Sequence, residues 1–137
     1  MAATRKGYFP IAGWCPNDGD VVFWLSESRL RELQRRGPER HYFDALLLPE
    51  ILVKPTSILF DLQRDNHEDS RCYCGIPRER YQTQQIKIPF PKDRILLAFI
   101  DSEGTILDWE LRQRDPQDER FPANWQADFG NPLWPPN

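Results

Sequence analysis

The chain has no long apolar run: nowhere in its 137 residues do the roughly 20 apolar positions of a membrane-spanning helix follow one another. Its start, MAATRKGYFPIAGW, carries two early positive charges with no apolar stretch behind them, so no secretory signal is expected. Cysteine is scarce. There are three, an odd number without a C-x-x-C pair, which points to reduced thiols in a cytoplasmic setting. Cys72 and Cys74 lie close to His67 in sequence, but they form C-x-C, and Cys15 is far upstream. Structural zinc generally takes four ligands at C-x-x-C-like spacings, so the cysteines read as core residues and no metal is expected. Also missing are a G-x-S-x-G elbow, a glycine-rich phosphate loop and a dinucleotide fingerprint. Their absence removes the motif-borne routes to serine nucleophiles and nucleotide cofactors, and no cofactor is expected.

What the chain does have is aromatic and proline content. Hydrophobic residues make up 39% and aromatic residues 12%, enough for a core and inconsistent with a wholly disordered chain. Thirteen prolines predict short elements joined by ordered loops. The formal net charge is −3, unevenly spread. Residues 29–40 hold five arginines against Glu32 and Glu39, a balance of +3. Residues 71–94 balance at +4, and the tail from Asp115 onward at −3. Such charge is ordinarily solubilising; the two basic segments also suit a polyanion.

The expected elements follow from period and punctuation. GYFPIAGW reads as an extended lead-in, CPNDGD as a loop, and residues 21–24 as a short strand. Ser26 suits a helix N-cap, and Gly37-Pro38 a helix stop. A second helix is expected over 39–48, ended by Pro49, with Phe43, Leu46 and Leu47 buried and His41 pointing away from them. ILVKPTSILFDL reads as a strand, or as a strand broken at its proline, in an edge position or at a bulge. SRCYCGIP alternates, with Tyr73 on the face opposite Cys72 and Cys74. RILLAFID and TILDWELR flank Ser102-Glu103-Gly104 as a hairpin, with ILLAFI buried on both faces. The tail is expected to form no regular element, but its Phe121, Trp125, Phe129 and Trp134 are too apolar to leave the body.

The fold class expected is α+β: N-terminal helices followed by an antiparallel sheet of about four strands, with an irregular aromatic C-terminal segment packed on the body. The division is one domain over 1–137, with a mainly helical lead-in (1–48), a sheet (49–114) and an acidic aromatic tail (115–137).

Without metal or cofactor motifs, phosphodiester cleavage is the chemistry these side chains can perform. It needs a base for the attacking hydroxyl, an acid for the leaving oxygen and cations for the phosphoryl charge. RNA supplies its own nucleophile, the 2′-OH. Candidates are His41, Lys54 and Tyr73, with Arg40, Thr56, Arg78, Arg80 and Arg94 as substrate-binding groups.

The segments LLPEILVKPTSILFD, RCYCGIP, RILLAFID and TILDWELR, behind a short helical part, resemble the phage-associated branch of the barnase–EndoU–colicin–RelE-like nucleases. The resemblance covers roughly residues 40–112 and rests on Pro55 to Ile58, Tyr73 and the hairpin of residues 94–112. It implies metal-independent RNA cleavage, often by a toxin. It also implies His41 as acid/base, Lys54 and Arg112 as cations for the phosphate or transition state, and Tyr73 as a stacking or orienting group. The overall acidity and the tail depart from that pattern. The alternative is a non-catalytic interaction protein, an immunity, antitoxin or accessory domain, whose acidic aromatic tail binds a basic protein partner.

Overall fold

A computed structural model describes residues 4–61 and 70–136. His67 lies outside them. The expected order is overturned at once, because strands come first. β1 (Tyr8–Cys15) and β2 (Gly19–Ser26) form an antiparallel hairpin, in register from Tyr8 opposite Ser26 to Cys15 opposite Gly19. The lead-in and the short apolar run are therefore partners. Their core residues alternate, with Ile11 on one strand and Phe23 and Leu25 on the other turned inward. Gly19 takes the positive φ (73°) that the turn after Asn17-Asp18 requires.

Three helices follow. α1 (Glu27–Arg36) starts where Ser26 accepts the N–H of Arg29 (3.3 Å) and stops at Gly37, whose N–H returns to the Leu33 carbonyl. No residue of α1 is fully buried; Leu30 and Leu33 anchor it against the core. α2 (Glu39–Ala45) is shorter than expected, and Leu46 beyond its end is 46% exposed while Phe43 and Leu47 are buried. Of the stretch read as a strand, residues 57–60 beyond Pro55 do form one, while its first three residues, 51–53, belong to α3 (Leu48–Val53). Pro49 sits in its first turn, where a missing N–H costs nothing, so this proline opens a helix instead of closing one. Leu48, Ile51 and Leu52 then bury one face at i, i+3 and i+4.

The main sheet has five antiparallel strands, not four. Its members are β3 (Ser57–Phe60), β4 (Arg71–Gly75), β7 (Arg94–Ile100), β8 (Ile106–Gln113) and β9 (Pro132–Trp134), in the order β8-β7-β4-β3-β9. A separate ribbon pairs β5 (Glu79–Tyr81) with β6 (Lys87–Pro89). The β7–β8 hairpin turns at Gly104 (φ 84°). A carbonyl there accepts the Trp24 N–H at 2.9 Å, tying the first hairpin to the sheet.

Both faces of the sheet are covered. Ile58, Tyr73, Leu96, Ala98 and Trp109 meet the hairpin and helices. Leu59, Cys72, Cys74, Ile95 and Leu97 meet Phe121 and Phe129 of the tail. The tail is thus partly regular: besides α4 (Trp125–Asp128) it supplies the edge strand β9, paired with β3. Among the described residues no helix is long and apolar enough to cross a membrane.

Candidate functional site

The edge strand β8 and the helix α2 meet at Trp109, which is fully buried. Its indole has one N–H to satisfy, and that N–H donates to the His41 carbonyl at 2.7 Å. The contact fixes the start of α2 over the strand. The His41 imidazole then lies flat on the indole, with centroids 4.7 Å apart and planes 10° apart. Its Nε2 is 3.4 Å from Asp108 Oδ1. Arg29, from the first turn of α1, reaches the same oxygen at 2.9 Å, with its guanidinium 5.3 Å from the Trp109 ring. The N–H of Trp109 also donates to that oxygen (2.9 Å). One carboxylate oxygen thus gathers an arginine, a histidine and a backbone amide.

All three side chains keep contact with water. Exposure is 27% for His41, 38% for Asp108 and 40% for Arg29. Arg29 also lines a cleft of about 280 Å³ with Glu32, Leu33, Arg36 and Gly37. The arrangement has a stated chemistry. His41 Nε2 approaches Asp108 Oδ1 as an ion-pair contact with no hydrogen bond between them, and a neutral imidazole keeps one ring nitrogen able to accept a proton. Asp108 and the stacked indole orient the ring, and Arg29 and Arg36 place positive charge at the cleft.

Of the nine residues singled out from the sequence, His41 alone belongs to this cluster. Lys54 is exposed at the end of α3, its N–H on the Glu50 carbonyl. Thr56 donates to the carbonyls of Cys74 (3.2 Å) and Arg120 (3.0 Å), pinning the tail. Tyr73 is buried on the hairpin side, its hydroxyl donating to the Trp14 carbonyl at 2.8 Å. Burial first, and then the neighbouring Cys15 thiol, push that hydroxyl well above the ordinary tyrosine range, so it stays protonated. Arg112, under the tail, bridges Glu110 (2.8 Å) and Asp128 (3.2 Å). Arg80 is buried in a two-bond pair with Asp44. Arg40 and Arg78 are exposed, with the Arg78 N–H on Glu50 (3.1 Å). The Arg94 carbonyl accepts two bonds from Arg114.

The sequence reading missed Arg29, Asp108 and Trp109. The one available signal was the indole N–H of a tryptophan on an inward strand face, which needs an acceptor. Nothing in the sequence says that the acceptor lies 68 residues upstream.

Among the described residues no three His, Cys, Asp or Glu side chains are grouped to hold a metal ion. Cys72 and Cys74 are fully buried with their sulfurs 4.0 Å apart. Burial, followed by the Cys74 neighbour, raises the Cys72 thiol well above its usual range. Comparison with protein-family models, curated proteins and solved structures found no match.

Proposed function

We propose that the protein is a metal-independent ribonuclease in which His41 is the proton-transfer group. The observation that carries this reading is the His41 imidazole held on Trp109 with Nε2 toward Asp108, beside Arg29 and the arginine cleft. His41 takes the proton of a ribose 2′-OH, and the 2′-oxygen forms a bond to phosphorus. The bond from phosphorus to the 5′-oxygen breaks, and that oxygen takes a proton from solvent. The products are a 2′,3′-cyclic phosphate and a 5′-hydroxyl. Arg29 and Arg36 offset the charge on the phosphoryl oxygens. The residue set differs from the one that the resemblance over residues 40–112 implies: Arg29 and Asp108 act where Lys54 and Tyr73 were expected.

The reading as an interaction protein drew on the tail. Three of the tail's carboxylates are engaged within the chain: Asp115 with Trp125, Asp118 with Arg120 and Asp128 with Arg112. Phe121 and Phe129 are core residues. Glu119 is the tail carboxylate outside these contacts.

The test is cleavage of mixed RNA by purified protein in EDTA. Wild type should cut, and His41→Ala should cut about 100- to 10,000-fold more slowly while remaining folded by circular dichroism. Asp108→Asn should also slow cleavage. Absence of cleavage by folded wild type, or full activity in His41→Ala, overturns the proposal.

A further inference from the structure

The proton transfer leaves a second cleft unused, where α1, α2 and the β5–β6 ribbon meet. It measures about 280 Å³ and is lined by Gln34, Glu39, Tyr42 and Gln84, with the buried Phe43 also contributing. Leu33 and Gly37 belong both to this cleft and to the arginine cleft, so the two adjoin across the end of α1. Tyr42 follows His41 in α2, and a helix turns about 100° per residue, so Tyr42 faces this cleft while His41 faces Asp108.

Resting on the ribonuclease reading, we propose that this cleft binds a nucleobase of single-stranded RNA whose backbone runs along the arginine side of α1. Three features select that ligand. Tyr42 is half-exposed and offers a ring on which any base can stack. Gln34 and Gln84 each present an amide donor and acceptor, and Glu39 adds acceptors, the groups that pair with base edges. The adjoining segment of residues 29–40 carries five arginines against two glutamates, which matches a phosphate backbone. A base inside a duplex has its edge paired and its faces stacked, so only an unpaired base enters. The site therefore discriminates single strands from duplexes and ranks bases by their edges.

Binding is measured by fluorescence anisotropy with 2′-O-methyl RNA, which lacks the attacking hydroxyl and stays intact. Single strands of A, C and U and one duplex are compared on wild type, Tyr42→Ala and Gln84→Ala. Wild type should prefer single strands. Tyr42→Ala should weaken single-strand binding about tenfold and leave the duplex unchanged. Gln84→Ala, on an exposed ribbon where loss of fold is not at issue, should alter the ranking of A, C and U. Equal binding of duplex and single strand, no binding, or unchanged single-strand binding in Tyr42→Ala overturns the inference. The two proposals fail separately. His41-dependent cleavage with Tyr42-independent binding overturns the base cleft alone, whereas Tyr42-dependent binding without cleavage supports the cleft and overturns the nuclease.

Discussion

Asp44 and Asp108 each hold an arginine close to α2, and the two pairs differ mainly in their access to water. Arg80 grips Asp44 through two bonds of 3.0 Å, with side-chain exposures of 10% and 6%. At Asp108 two donors, Arg29 and the Trp109 backbone amide, share one oxygen with His41 Nε2 3.4 Å away, and the side chains of the arginine pair remain 38–40% exposed. The first pair spends both carboxylate oxygens on one partner and fastens β5 to α2. The second leaves its imidazole and guanidinium open to solvent, and only groups with such access can exchange a proton or a counter-charge with a substrate. Charge pairs of the same composition are thus sealed from water in one place and left in contact with it in the other.

That contrast predicts a graded set of losses. Asp44→Ala leaves a buried arginine without its anion and should destabilise the protein by about 3–5 kcal/mol in urea denaturation. A loss below about 1 kcal/mol would mean that the pair behaves like a surface contact, and the comparison would break. Tyr73→Phe removes a single buried hydrogen bond, and about 1 kcal/mol is expected. It also carries a pH signature. Because folding raises the Tyr73 hydroxyl above its unfolded value, its contribution is full below about pH 10 and fades as pH rises beyond that. Wild type should therefore lose more stability than Tyr73→Phe between pH 9 and 11, to be followed by thermal melts; equal slopes would place the hydroxyl in contact with water. The smallest stability effect is expected for Arg29→Gln, at most about 1 kcal/mol, since its pair with Asp108 is solvent-screened. The same substitution should slow RNA cleavage about 100-fold. A large loss of stability with unchanged cleavage would reverse the roles assigned to the two pairs.

Local signals were legible where local physics decides. The Ser26 cap, the Gly37 stop, the β7–β8 hairpin with its turn at Gly104, and the placement of Tyr73 opposite Cys72 and Cys74 could be read from composition and period. The prolines were harder. Pro49 suits the end of one helix or the first turn of the next, and burial of Leu48, Ile51 and Leu52 chose the second. GYFPIAGW offers a strand little more than a lead-in does until β2 lies beside it. The tail looked irregular because its strand is three residues long and exists by pairing with β3, more than 70 positions earlier.

The candidate site divides in the same way. His41 could be chosen from the sequence because histidine is rare here and its position, two residues before Phe43, turns it from the core stripe. Its partners could not. Asp108 and Trp109 are 67 and 68 positions away, and side chains so distant carry no mutual periodicity or spacing. A similar gap hid the partner of Arg80, since Asp44 lies 36 positions upstream, whereas Arg112 pairs with Glu110 two positions away on its own strand as well as with Asp128.

By itself the sequence determined the supply of aromatic and aliphatic residues for a two-faced sheet, the turn and cap positions, and the concentration of arginine in residues 29–40. Those properties depend on neighbours a few residues apart, where backbone geometry is set. Tertiary structure alone decided which arginines remain open to solvent, which tyrosine is sealed, and that His41 lies on Trp109 against Asp108. The physical reason is that burial and charge pairing depend on distance through space, and the antiparallel sheet with its covering helices brings distant segments of the chain into contact.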